Sequence, residues 1–189
     1  HQKGRSLMKI LAFAATNHSA SINRMLVGYA VDRLVNLHRD AQIEFVDIND
    51  YEMPIYSLDR EHADGVHPRA KEFYEKIGES DAIIVSFAEH NGFVTAAWKN
   101  IFDWMSRIDT KVWQDKPTVI LAATPGARAG ANVLQTQETM APFFGMDIKG
   151  KHGVGHWPEA WDGTKLVKDG DVHRVDLAVR GLLTAQNAH

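Results

Sequence analysis

Cysteine is absent from all 189 residues. That removes disulfides, thiolate nucleophiles and cysteine-held zinc, and it fits a reducing compartment. Also missing is any apolar run near the roughly 20 residues needed to cross a bilayer. The apolar segment Ile10 to Ala15 is shorter than the core of a secretory signal and is cut off by Asn17 and His18. No block of like charge occurs and the formal net charge is only −3, so the chain lacks the footprint of a binder of nucleic acid or anionic membrane. The expectation is a soluble, cytoplasmic protein whose partners are small molecules or another copy of itself, with no nucleic acid and no membrane insertion.

Several catalytic signatures are lacking as well. The turn after the first strand-like run carries no G-x-G-x-x-G, and the glycines from Gly126 to Gly130 have the wrong spacing for a nicotinamide-binding Rossmann motif. G-x-S-x-G is absent, so hydrolase chemistry has no nucleophile elbow. Ten histidines invite a metal reading, and His152 with His156 has ligand-like spacing. Gly153 and Gly155 argue against a helix that would align the pair, and no H-E-x-x-H accompanies them. These are read as surface histidines, and no metal site is assigned.

What is present is a regular alternation. With 44% hydrophobic residues the chain can bury one sizeable core, and a single domain from residue 8 to 189 is expected. His1 to Leu7 reads as the remnant of an expression tag, with Met8 as the natural beginning. The apolar runs Ile10 to Ala15, Ala82 to Phe87 and Thr118 to Ala123 have the character of strands covered on both faces. Ile43 to Ile48 and Met146 to Lys151 mix apolar with charged residues, as edge strands do. Helical patterns lie between them: Ile22 to Leu37 behind Ser21 as N-cap, then Pro68 to Gly78, Thr95 to Arg107, Ala129 to Phe144 and Val172 to Leu183. Within the third of these, Trp98, Ile101, Phe102 and Met105 form one stripe, and Lys99 and Asp103 are spaced as an i, i+4 ion pair. Such alternation implies a doubly wound α/β fold, a five-stranded parallel sheet in the order 2-1-3-4-5 with helices on both faces. Ligands of such sheets bind beyond the carboxyl ends of the strands, which brings Glu89 to Gly92 forward as a ligand loop. The stretches from Ile48 to Gly65 and from Gly153 to Gly170 read as long irregular connections near that end.

Three segments, each after a central strand, resemble the NADPH-dependent FMN reductase family of flavodoxin-like proteins, which includes quinone and azo-dye reductases. Ala15-Thr16-Asn17-His18-Ser19-Ala20-Ser21-Ile22-Asn23 is similar to that family's phosphate loop. Unpaired N–H groups at a helix N-terminus and short hydroxyl side chains would suit a phosphate dianion there. His18 stands where the family often has arginine, exchanging a permanent charge for a titratable one. Ala88-Glu89-His90-Asn91-Gly92 resembles the family's Pro-Glu-Tyr-Asn-Gly signature, with alanine and histidine replacing proline and tyrosine. Thr124-Pro125-Gly126-Ala127-Arg128-Ala129-Gly130 resembles its Ser-Pro-Gly-Gly-x-Gly-Gly turn.

The resemblance implies an oxidoreductase that binds FMN, takes hydride from NADPH or NADH onto flavin N5 in a ping-pong reaction, and reduces a small-molecule acceptor such as a quinone, an azo compound or free flavin. It implies cofactor contacts from Thr16, His18, Ser21, Ile22 and Asn23, from Glu89, His90, Asn91 and Gly92, and from Thr124, Pro125 and Gly126. His90 is the one catalytic candidate, as a flavin neighbour and proton source, and a structural or interface role stands beside it. Glu89 is read as a hydrogen-bonding brace, with ligand contact as the alternative. Arg128 is read as facing solvent, with contact to a nicotinamide phosphate as the alternative. In the family the helix bearing Trp98, Phe102 and Trp104 packs on a second subunit, which implies a homodimer or homotetramer; the same aromatics would also serve a monomer core. A flavodoxin-type electron carrier and a cofactor-free interaction module are the rival readings.

Overall fold

The computed structural model describes residues 8–186; the stretch read as a tag remnant lies outside them. Lys9–Ala14 (β1), Ala82–Ser86 (β3) and Pro117–Ala123 (β4) are the strands whose residues are almost all buried. The partly exposed strands Gln42–Val46 (β2) and Asp147–Val154 (β5) sit at the two edges. All pairings are parallel and the order is β2-β1-β3-β4-β5, as the alternation of patterns predicts. Such order puts the point where the chain reverses its winding between β1 and β3.

Two cores cover the two sheet faces. On one, Leu11, Phe13 and Val85 point into an aromatic cluster with Phe73 of Pro68–Glu79 (α3), Trp98 and Trp104 of Ala96–Ser106 (α4), and Trp113. Phe13 lies 5.1 Å from Trp98 and 5.2 Å from Phe73, ring centre to ring centre. On the other, Ile10, Ala12, Ile84 and Leu121 pack on Leu26, Ala30 and Leu34 of Ile22–Leu37 (α1) and on Val175, Val179 and Leu182 of Asp169–Gln186 (α7). Trp98 and Trp104 are therefore core residues of the chain itself, whereas Phe102 stays partly exposed and meets Phe144 at 4.8 Å. The Lys99–Asp103 pair forms at 2.6 Å.

Four segments differ from the sequence pattern. β5 continues to Val154 because its glycines lie where other backbone passes: a Cβ on Gly153 would sit 1.9 Å from the Ala129 carbonyl oxygen, and one on Gly150 2.5 Å from Ala178 Cα. The connection after β2 holds a 3-10 turn at Ile48–Tyr51 and the short helix Leu58–Asp64 (α2). A further short helix, Trp157–Ala160 (α6), comes after β5. The helix Ala131–Phe144 (α5) begins two residues later than its apolar pattern, since Ala129 (φ 54°) and Gly130 (φ 71°) are left-handed and close a turn first. Among the described residues no helix is long and apolar enough to cross a membrane.

Candidate functional site

The carboxyl ends of β1, β3 and β4 open into a cavity of about 700 Å³, within the range of small-molecule sites. Three loops wall it: Thr16, His18 and Ala20 to Asn23 from the first, Ala88 to His90 from the second, and Ala123 to Arg128 from the third.

In the first loop Ser21 caps α1, its Oγ accepting the Asn23 N–H at 3.1 Å, and Thr16 Oγ1 accepts the His18 N–H at 3.2 Å. Both hydroxyl groups still have a proton to donate. Asn23 borders the cavity, yet its side chain turns into the protein. Its Oδ1 accepts from Ser86 Oγ (2.7 Å) and from the Ala123 N–H (2.8 Å), and its Nδ2 donates to the Ala123 carbonyl (3.2 Å). Asn23 thus braces the floor beneath the loop, tying the first turn of α1 to the ends of β3 and β4. Arg24, one residue on, pairs with Asp47 at 3.0 Å. Burial pushes the Asp47 carboxyl up, but the Asn49 amides and Arg24 outweigh it and hold the group below its ordinary value. Asn49 in turn donates to the Asn17 carbonyl at 3.0 Å and steadies the loop from outside.

In the second loop Glu89 Oε2 accepts the Val133 N–H at 2.9 Å. Asn91 and Gly92 do not line the cavity. Instead His90 and Phe93 exchange two backbone hydrogen bonds (2.9 and 3.1 Å) across Asn91 (φ 55°) and Gly92 (φ 82°). Two consecutive positive φ angles make this a type I′ hairpin turn, the conformation that Asn-Gly favours. His90 is exposed on the cavity rim, with Phe93 across the hairpin.

The third loop is seated on the segment at the end of β5 and the start of α6. Thr124 N–H donates to the Val154 carbonyl (2.9 Å), Trp157 N–H to Thr124 (3.1 Å) and His156 N–H to Gly126 (3.0 Å). Gly126 faces open space, with nothing within 4 Å of where a Cβ would point. Arg128 is exposed at the rim, its guanidinium donating to Asn132 Oδ1 at 2.8 Å. Thr95 was not legible as part of the site, although its hydroxyl caps α4 (3.2 Å) and donates to the Ala15 carbonyl (3.0 Å), so it holds the start of the first loop. Its signal was the usual one, a threonine directly before a helical stripe. His152 and His156 do not converge: His152 Nε2 lies 2.7 Å from Asp171 Oδ1, and His156 sits left-handed before α6. Among the described residues no group of three or more His, Asp or Glu is placed to hold a metal ion.

Residues 8–156 match the NADPH-dependent FMN reductases. The chain belongs to that family. NADPH-dependent FMN reductases are oxidoreductases that use FMN, with NAD(P)H as the hydride donor. Relatives of this chain include an NADPH:quinone oxidoreductase of Arabidopsis thaliana, 32% identical over 127 residues, which are 67% of this chain and 63% of that protein's length. An NAD(P)H-dependent FMN reductase of Pseudomonas aeruginosa is 30% identical over 133 residues, 68% of this chain and 69% of the relative. The same fold recurs in the flavoenzyme NAD(P)H:(acceptor) oxidoreductase of Paracoccus denitrificans, with a TM-score of 0.74, 17% identity, and coverage of 96% of this chain and 98% of the other.

Proposed function

We propose that this chain is an FMN-dependent NAD(P)H oxidoreductase of ping-pong type, in which the oxidised nicotinamide leaves before a quinone, an azo compound or free flavin enters at the same face. The observation that carries the reading is the convergence of three loops from successive central strands on one ligand-sized cavity, with the N-terminus of α1 at one end. The residues fit the group: hydroxyls and a helix N-terminus for a phosphate, and an open glycine position at Gly126 for a ring. When bound, FMN supplies the N5 atom that accepts hydride from the nicotinamide and passes the electrons on.

The chain's own work is to bind and orient. Thr16 and Ser21 donate to the phosphate, with His18 beside them, while Ile22 supplies apolar cover. Thr124, Pro125 and Gly126 line the ring site, where the Gly126 N–H stabilises negative charge as it develops. His90 borders the ring and is the group placed to hold a proton for the acceptor. Asn91 and Gly92 act through the turn that presents His90. Arg128 stands at the rim, within reach of solvent.

A cytoplasmic location and one flavodoxin-like domain from residue 8 onward belong to the same proposal. So does a homodimer or homotetramer. Its support is a second, largely apolar cavity of about 390 Å³ between α4 and α5, bordered by Phe93, Phe102 and Met140. Sedimentation analysis is expected to give a multiple of the chain mass; a monomer at micromolar concentration would remove the oligomer from the proposal.

The test of function is a visible titration with FMN, then anaerobic NADPH and NADH in turn. Saturable binding with rapid bleaching by either nucleotide is the expected result. Binding without bleaching would identify an electron carrier, and no binding would leave a cofactor-free module.

A further inference from the structure

α5 starts without a side-chain cap of its own. Gly130 occupies the N-cap position in a left-handed conformation, and no side-chain hydrogen bond satisfies the first turn from there. The acceptor for the Val133 N–H comes instead from Glu89, 44 residues earlier in the chain. A carboxylate at a helix N-terminus is favoured by the unpaired N–H groups and by the helix dipole, and the charge-assisted bond is about twice as strong as a neutral one.

The same Glu89 stands in the second wall of the cavity, between Ala88 and His90. α5 continues directly from the third wall, through the turn that ends at Gly130. β3 carries one wall and its neighbour β4 the other, and beyond the last ladder bond between them, from the Phe87 N–H to the Leu121 carbonyl, the Glu89 hydrogen bond adds a link between the two walls. The hairpin beyond His90 leans on the same helix end: the position of a Cβ on Gly92 lies 3.4 Å from the Asn132 amide. Without the Glu89 bond, the wall with Ala88 and His90 would be free to shift relative to Thr124 to Gly126.

We propose that Glu89 is a positioning residue that fixes these two walls against each other and so sets the width of the slot for the flavin ring. The inference rests on the reading of the cavity as an FMN site. It also explains how a carboxylate can border a cavity that receives an anionic ligand, because the N-terminus of α5 offsets its charge. Glutamine keeps an acceptor oxygen at the same reach, whereas alanine removes it.

The experiment compares wild type, Glu89→Ala, Glu89→Gln and a control, Thr139→Gly, which weakens α5 on its exposed face away from the cavity. Two readouts are taken: amide hydrogen exchange at Val133 by NMR in the absence of flavin, and the FMN dissociation constant by fluorescence quenching. In Glu89→Ala the Val133 amide is expected to exchange about tenfold faster and FMN to bind about tenfold more weakly. Glu89→Gln is expected within about threefold of wild type in both, and Thr139→Gly to bind FMN normally.

Unchanged FMN affinity in Glu89→Ala, with Val133 deprotected, would overturn the proposal and leave Glu89 as a helix cap alone. An equal loss in Glu89→Gln would overturn it in favour of direct action of the charge on the ligand. An equal loss in Thr139→Gly would trace the effect to general weakening of α5. Failure of the wild type to bind FMN would instead overturn the flavin reading, and this inference with it.

Discussion

Asn23 and Ala123 lie 100 residues apart and share two hydrogen bonds, one from the Ala123 N–H to Asn23 Oδ1 at 2.8 Å and one from Asn23 Nδ2 to the Ala123 carbonyl at 3.2 Å. Asn23 is 2% exposed, so its amide does at the top of the sheet what a further strand residue would do within it. Asn23→Ala leaves the Ala123 N–H, the Ala123 carbonyl and the Ser86 hydroxyl short of a partner inside the protein. The expected cost is roughly 3 kcal/mol of stability, read from urea denaturation. A loss below about 0.5 kcal/mol would mean that water replaces the amide there.

Ser21 allows phosphate placement to be separated from folding. Ser21→Ala removes the cap on α1 and is expected to cost about 1 kcal/mol of stability. It is also expected to weaken FMN binding about fivefold while leaving riboflavin, which lacks the phosphate, bound as before. Combining it with Asn23→Ala should lower FMN affinity further. Equal weakening of both flavins by Ser21→Ala would move the phosphate away from this loop.

Gly153 tests the seat of the third loop. A Cβ there would meet the Ala129 carbonyl oxygen at 1.9 Å, a clash that no rotamer relieves because Cβ precedes χ1 and its partner is backbone. Gly153→Ala is expected to destabilise by about 3 kcal/mol or to prevent folding, as judged by soluble yield and denaturation midpoint. Gly126→Ala faces open space and should fold normally, with its effect confined to flavin affinity.

The forked contact of Arg33 with Asp176, at 2.7 and 2.6 Å, joins α1 to α7. The hydrogen bond from Arg33 holds the Asp176 carboxyl below its ordinary value. A depressed folded-state pKa contributes stability that is present above the unfolded value and is lost as pH falls through the folded one. Arg33→Gln should therefore cost roughly 1 kcal/mol at pH 7, and the gap to wild type should close below about pH 4, as seen in denaturation at stepped pH.

Much of the fold was legible because its cause is local. Residues buried on both sheet faces spell β1, β3 and β4 as apolar runs, and charged residues mark β2 and β5 as edges. The end of β5 misled for the opposite reason: Gly153 looks like a loop residue, and only the backbone of Ala129 passing above it makes glycine the strand residue there. At the site, the loops and the cap at Ser21 were readable from short motifs. Asn91 and Gly92 entered through the family resemblance, as cofactor contacts; the hairpin turn they form comes from their two positive φ angles and the exchanged hydrogen bonds of His90 and Phe93. The partners of Asn23 and Glu89 were out of reach, since each lies on an element brought near only by the sheet order.

The connection after β2 has one more consequence. Asn100 accepts the Tyr56 N–H at 2.8 Å and donates to the Met53 carbonyl at 3.0 Å, the Trp104 indole donates to Pro54 at 2.8 Å, and Arg107 holds Glu61, which accepts the Tyr56 hydroxyl. Successive turns of α4 thus grip this segment along its length, as rungs grip a rail. It behaves as masonry rather than as a hinged flap, and a molecule docking beside it meets a contour already set before arrival. Selectivity at such a surface comes from shape, and little backbone entropy changes hands on association.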